Sequence, residues 1–203
     1  LIDLMENKLI TALAFNGAGI IHDFEIAYCG QTSEDVATQI EAGLFGMARE
    51  TAEFLNQAII RGAEKNSGLG EAVGEMIAQS DFPYKNLSLL ASAFRLGLPA
   101  TVHVAIGTDV IHLHPQASGE AIGRTSLKDF FKFASEIEKL EEGGIYLNVG
   151  SAVILPEVFL KAVSYVRNQG KRLENFTTAV FDFIRHYRPE QHVIKRIIGE
   201  KGR

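Results

Sequence analysis

The chain of 203 residues carries 20 Lys and Arg against 25 Asp and Glu, for a net charge of −5, with 46% hydrophobic and 22% charged residues. That length suits one α/β domain over 1–203 with a buried core, and the acidic balance argues against a polyanion, so no nucleic-acid partner is expected. A single cysteine, Cys29, excludes an intrachain disulfide and fits a reducing, cytoplasmic setting, and no run approaches the ~18 apolar residues that a membrane span needs.

Leu1-Ile2-Asp3-Leu4 opens in mid-pattern, so an N-terminal part of the fold is expected to be missing. Ile10 to Phe15 is a short apolar run that reads as a strand buried on both faces, closed by Asn16-Gly17-Ala18-Gly19. From Ile20 the period turns helical. Thr32-Ser33-Glu34-Asp35 reads as a capping box for a helix to about Gly43. A longer helix is expected from Met47 to Lys65, with Met47, Thr51, Phe54, Leu55, Ala58 and Ile59 on one stripe. Gly68-Leu69-Gly70 introduces another, to about Gln79, and Ser88 to Leu96 a third.

Ala100 to Ile106 is β-branched and reads as the second strand, with Gly107-Thr108-Asp109 as its turn. His112 to Gly123 has no firm period, and Ser126 with Asp129 is expected to cap a helix to about Leu140. Ile145 to Val149 is the third strand, Gly150-Ser151 its turn, Pro156 to Asn168 a helix, and Phe176 to Phe183 the fourth strand. The basic endings Lys195-Arg196 and Lys201-Gly202-Arg203 read as solvated. Strands alternating with helices predict one parallel sheet covered on both faces, with a ligand crevice outside the carboxyl ends of its strands.

Three small polar turns therefore stand out: Asn16-Gly17-Ala18-Gly19, Gly107-Thr108-Asp109 and Gly150-Ser151-Ala152. Glycine allows a ribose or phosphate to come close to the backbone, and free N–H groups at a helix start attract anions. Next to the first turn, His22 and Asp23 interrupt an apolar helix start with groups suited to orienting a polar amine or hydroxyl, or, for Asp23, to capping the helix. His103, His112 and His114 cluster around Asp109. An extended chain there would put His112 and His114 on one side and allow Asp109, His112 and His114 to hold a metal, although the spacing matches no defined metal motif.

Three segments together resemble the deoxyhypusine synthase family, in its distant bacterial and archaeal relatives. The family's strand ending in Thr-Ala-Gly-Gly followed by acids is similar to Asn16-Gly17-Ala18-Gly19-Ile20-Ile21-His22-Asp23, and its Thr-Asp-Gly turn is similar to Gly107-Thr108-Asp109. Its Gly-Gly-Gly turn and helix ending in Arg-Asn-Gly resemble Gly150-Ser151 and Arg167-Asn168-Gln169-Gly170. The resemblance implies a three-layer Rossmann-like parallel sheet. It implies NAD bound near Asn16, Gly17, Gly19, Gly107, Thr108, Gly150, Ser151 and Asp182, and a homo-oligomer, dimer or tetramer.

It further implies transferase or oxidoreductase chemistry on a small polar or amine substrate, with His22, Asp23, His103 and Asp109 as acting groups. The departures are specific. The family's substrate glutamate aligns with His22 and its histidine base falls near Pro156 or Glu157. Its Trp-Gly-Lys stretch has no copy here, Arg188-Pro189-Glu190 to Lys195 being a faint echo, so authentic deoxyhypusine synthesis is not expected. Two other readings stay open. One is a metal-assisted hydrolase using Asp23, His103, Asp109, His112 and His114; the other is a non-catalytic ligand-binding or assembly protein.

Overall fold

The computed structural model describes residues 1–32 and 34–198. Ser33 of the expected capping box and the tail Lys201-Gly202-Arg203 lie outside the described residues. The chain forms two compact units that divide between Asp129 and Phe130.

The first unit runs through α1 (Ile2–Glu6), β1 (Leu13–Asn16), α2 (Gly17–Cys29), α3 (Val36–Glu41), α4 (Arg49–Glu64), α5 (Leu69–Gln79), α6 (Leu89–Leu96) and β2 (Ala100–His103). It ends inside α7 (Gly119–Glu138). Strands β1 and β2 pair in parallel, with Leu13 opposite Ala100 and Asn16 opposite His103. The core lies where one face each of α2, α4, α5 and α6 meets this ribbon: Ile20, Phe24, Leu55, Ile59, Val73, Ile77, Leu90 and Val102 are almost wholly buried. Around Phe24, the rings of Tyr28, Phe54 and Phe82 stand at centroid distances of 5.6, 5.7 and 5.6 Å, a mix of stacked and edge-on packing that fixes α2 against α4.

The second unit carries the end of α7, β3 (Ile145–Val149), α8 (Ile154–Asn168), β4 (Thr177–Phe181) and α9 (Tyr187–Pro189). A π-helical segment Glu190–Lys195 and α10 (Arg196–Ile198) follow. Strands β3 and β4 are again parallel, Ile145 opposite Thr177 and Val149 opposite Phe181. Tyr146 stacks on Phe159 of α8 at 3.8 Å, while Ile145, Leu147 and Val149 turn an apolar face outward at 63%, 50% and 69% exposure.

Among the described residues the strands thus pair two and two, giving a mixed α/β chain with two small parallel sheets in place of the four-stranded one expected. Both crossovers have the expected βαβ sense of strand, helix and parallel strand. The first sheet is shorter than its apolar runs suggest. Its pairing starts at Leu13 instead of Ile10, and it stops at His103 instead of Ile106, where the chain leaves for the Gly107 turn. Likewise β4 occupies Thr177–Phe181 within the expected Phe176 to Phe183.

The largest correction concerns α7. Ser126 and Asp129 do not start that helix, which begins at Gly119; they lie inside it. Ser126 Oγ donates to Val102 O, and Asp129 Oδ2 accepts from Gly70 N at 2.9 Å and Val102 N at 2.8 Å. The same residue pattern that caps a helix also arises where a mid-helix face serves a neighbour's backbone. No helix among the described residues is long and apolar enough to cross a membrane.

Candidate functional site

At the carboxyl edge of β1 and β2 the backbone runs from strand into helix without a loop. Asn16 ends β1 in extended conformation and N-caps α2, its Oδ1 accepting from Gly19 N at 2.9 Å. Gly17 follows as the first helical residue, and the Asp109 carboxyl lies so close that a Cβ at position 17 would run into it. A Cβ fits there only if the Asp109 carboxyl or the helix start moves. We expect Gly17→Ala to cost about 1–3 kcal/mol, by displacing either Asp109 or the helix start; a urea midpoint unchanged from wild type would refute the packing.

Asp109 comes from the turn after β2, in which Gly107 has φ +90°. Val110–Leu113 then forms a 3-10 turn, so the extended geometry that would align His112 with His114 does not exist. His114 Nε2 instead meets Gly46 O at 2.9 Å, and no group of three His, Cys, Asp or Glu among the described residues is placed to hold a metal. His112 folds back over its own turn, its Nδ1 accepting from Gly107 N at 3.2 Å. In the neutral ring the proton is therefore on Nε2.

Two polar atoms of this turn, Asp109 Oδ2 and His112 Nε2, are buried without a hydrogen-bond partner. Burial pushes the Asp109 carboxyl above the ordinary aspartate value. Gly107 and Thr108 themselves are exposed, and the Thr108 hydroxyl donates to Ala105 O at 2.7 Å. His103 stands opposite Asn16 in the strand register, buried, with Nε2 3.1 Å from Thr101 Oγ1. Burial lowers its value to about 4, so the ring is neutral at physiological pH.

His22 and Asp23 both line one groove beside α2, the first exposed and the second buried. His22 is exposed and borders a groove of about 500 Å³ lined by Leu1, Ile2, Phe15 and Ile26 among others. Asp23 is buried, and its carboxylate accepts from Ser88 Oγ at 2.6 Å, Leu89 N at 2.7 Å and Leu90 N at 3.2 Å. It caps α6, whose own N-cap Ser88 accepts from Ala91 N. Burial still holds Asp23 above the ordinary carboxylate value against those three bonds. Asp23 and Asp129 are thus alike, each closing the N-terminus of another helix, whereas the Asp109 carboxyl sits beside the start of α2 at Gly17.

In the second unit Gly150 has φ +65° and donates from its N to Phe181 O at 2.9 Å, and Ser151 Oγ accepts from Leu155 N at 3.3 Å as α8 begins. Asn148 Nδ2 donates to Ser151 O, leaving its buried Oδ1 without a partner. Asp182 Oδ1 accepts from Ile184 N, and its other oxygen lies 3.8 Å from His186 Nε2. Sequence reasoning found Asp129 by its spacing from Ser126 but gave it the wrong helix, and it missed the group around His192.

The chain matches no family model, no curated protein and no solved structure.

Proposed function

We propose that the first unit binds the nucleoside portion of a nucleotide of NAD type, in a Rossmann-like protein related to deoxyhypusine synthase that acts on a small polar or amine substrate. One observation carries the reading: Asp109 Oδ2 and His112 Nε2, three residues apart on the turn over the carboxyl edge of β1 and β2, are buried polar atoms without partners. Such atoms are costly unless a ligand completes them. Asp109 Oδ2 can accept and His112 Nε2–H can donate, the two kinds of contact that ribose hydroxyls make. Phosphate is less suited to the same spot, because the Asp109 carboxyl already occupies the space beside Gly17.

Asp109 and His112 would hold the cofactor. When bound, NAD supplies a hydride acceptor. His103 and His22 are then the nearest candidates in the sequence for moving a proton, and both crossovers support the α/β nucleotide-binding architecture. The outward apolar face of Ile145, Leu147 and Val149 supports the homo-oligomer that the resemblance implies.

The test is thermal stabilisation by NAD, NADH and adenosine at millimolar concentration, with Asp109→Asn beside the wild type. Wild-type protein is expected to gain Tm with ligand, and the variant to bind at least about tenfold more weakly. No gain with any of the three overturns the reading. Without ligand the sign reverses. A carboxyl with a raised native value contributes stability below its unfolded value and loses it as pH rises through the native one. Asparagine does not titrate, so Asp109→Asn is expected to be more stable than wild type at pH 7 to 8, the gap closing toward pH 4.

A further inference from the structure

The second unit holds a group of titratable side chains that the nucleotide reading does not use. His192 is buried in the middle of the π-helical segment Glu190–Lys195. Arg196 of α10 donates to its Nε2 at 3.0 Å, an arrangement open only to a neutral ring with its proton on Nδ1. That Nδ1 lies 3.2 Å from Glu157 Oε1 of α8, a charge-to-dipole contact and not an aligned hydrogen bond. Glu157 is already engaged by Lys161 and by Arg188 Nε at 3.1 Å, and Arg196 also donates to Tyr187 Oη at 3.1 Å.

Around the ring, α8 therefore offers Glu157 and Lys161, α9 offers Tyr187 and Arg188, and α10 offers Arg196. Within the segment Glu190 and Lys195 pair with each other at 2.6 Å, and β4 brings no titratable group. Cations outnumber anions near the imidazole. Two backbone anchors complete the seat: Thr178 Oγ1 donates to Val193 O at 2.9 Å, and Arg167 donates to Ile197 O at 3.0 Å. A π-helical turn is a rare conformation that persists where its surroundings stabilise it.

We propose that Glu157, His192 and Arg196 form a proton-sensitive latch, which holds the segment Glu190–Lys195 on α8 and β4 while the imidazole is neutral and releases it on protonation. A proton on Nε2 would face the Arg196 guanidinium donor to donor, so that bond must break. Glu157, shared with Lys161 and Arg188, compensates the new charge only in part. Burial first, and then the Arg196, Lys161 and Arg188 charges, hold the imidazole below its ordinary value, against the pull of Glu157. The latch therefore contributes stability above the ordinary imidazole value and loses it as pH falls through the lower native one.

Hydrogen exchange of the full chain between pH 8 and pH 5, corrected for the intrinsic pH dependence of exchange, tests this. Amides of residues 190–197 are expected to lose protection over this range that those of α8 keep. His192→Gln, which keeps an acceptor and a donor without titrating, is expected to abolish the difference. Equal pH responses of the two regions in wild type, or an undiminished difference in the variant, overturn the proposal. Should the variant fail to fold, NMR titration of the wild-type His192 ring decides: a midpoint below the ordinary value that coincides with the loss of protection supports the latch. A midpoint at or above that value refutes it.

Discussion

Asp23→Ala is expected to lower the stability of the first unit by about 3 kcal/mol, since it strands the buried donors Ser88 Oγ and Leu90 N and the half-buried Leu89 N. Each unsatisfied buried donor costs about 1–3 kcal/mol, and removal of a desolvated carboxylate returns part of that sum. Asp23→Asn, which keeps one acceptor oxygen, is expected to lose about half as much. Urea unfolding followed by circular dichroism reads the total, and exchange at α6 locates it. If both substitutions leave the urea midpoint in place, the carboxylate is not the cap described. A catalytic Asp23 predicts the opposite pattern, with intact stability and lost turnover.

Asp129→Ala is expected to have an effect of similar size, about 3 kcal/mol, by a different route. Its Oδ2 accepts from both Gly70 N at the start of α5 and Val102 N in β2, so one atom ties a helix end and a strand to α7. Gly68 makes this possible, because a Cβ there would strike the same carboxylate. Loss of the side chain should raise exchange at Gly70 and Val102 together, whereas α6 and its Asp23 cap remain protected. Independent behaviour of the two amides would separate the helix cap from the strand anchor and refute the shared tie.

What was legible in the sequence follows from how local each signal is. Asn16 both closes an apolar run and supplies the first cap of α2, so the strand-to-helix junction could be placed within a residue or two. The helices over Arg49–Glu64 and Leu89–Leu96 were marked by stripes and by Ser88. Strand partners and the targets of buried acids are not local. Asp23 finds its donors 65 to 67 residues away, and nothing in His22-Asp23-Phe24-Glu25 indicates α6.

The Asp109 turn was identified as polar and glycine-bearing, but its histidines were placed on an assumed extended chain. The 3-10 turn Val110–Leu113 instead folds His112 back to Gly107 and sends His114 to Gly46. Glycine at 107, with φ +90°, was legible as a backbone requirement. That a carboxyl from a distant turn packs against Gly17 was not, since the contact spans most of the first unit's sequence.

The aspartates that close other helices also set an order on how the chain comes together during synthesis. The first turn of α6 finds its cap in a residue made long before it, so that end can be completed as soon as α6 emerges and docks on α2. The start of α5 waits for Asp129, which is made 59 residues after Gly70. Until α7 has left the ribosome, α5 and the edge of β2 share an open set of backbone donors, and a pause in translation before Asp129 would hold the nascent chain in that unfinished state.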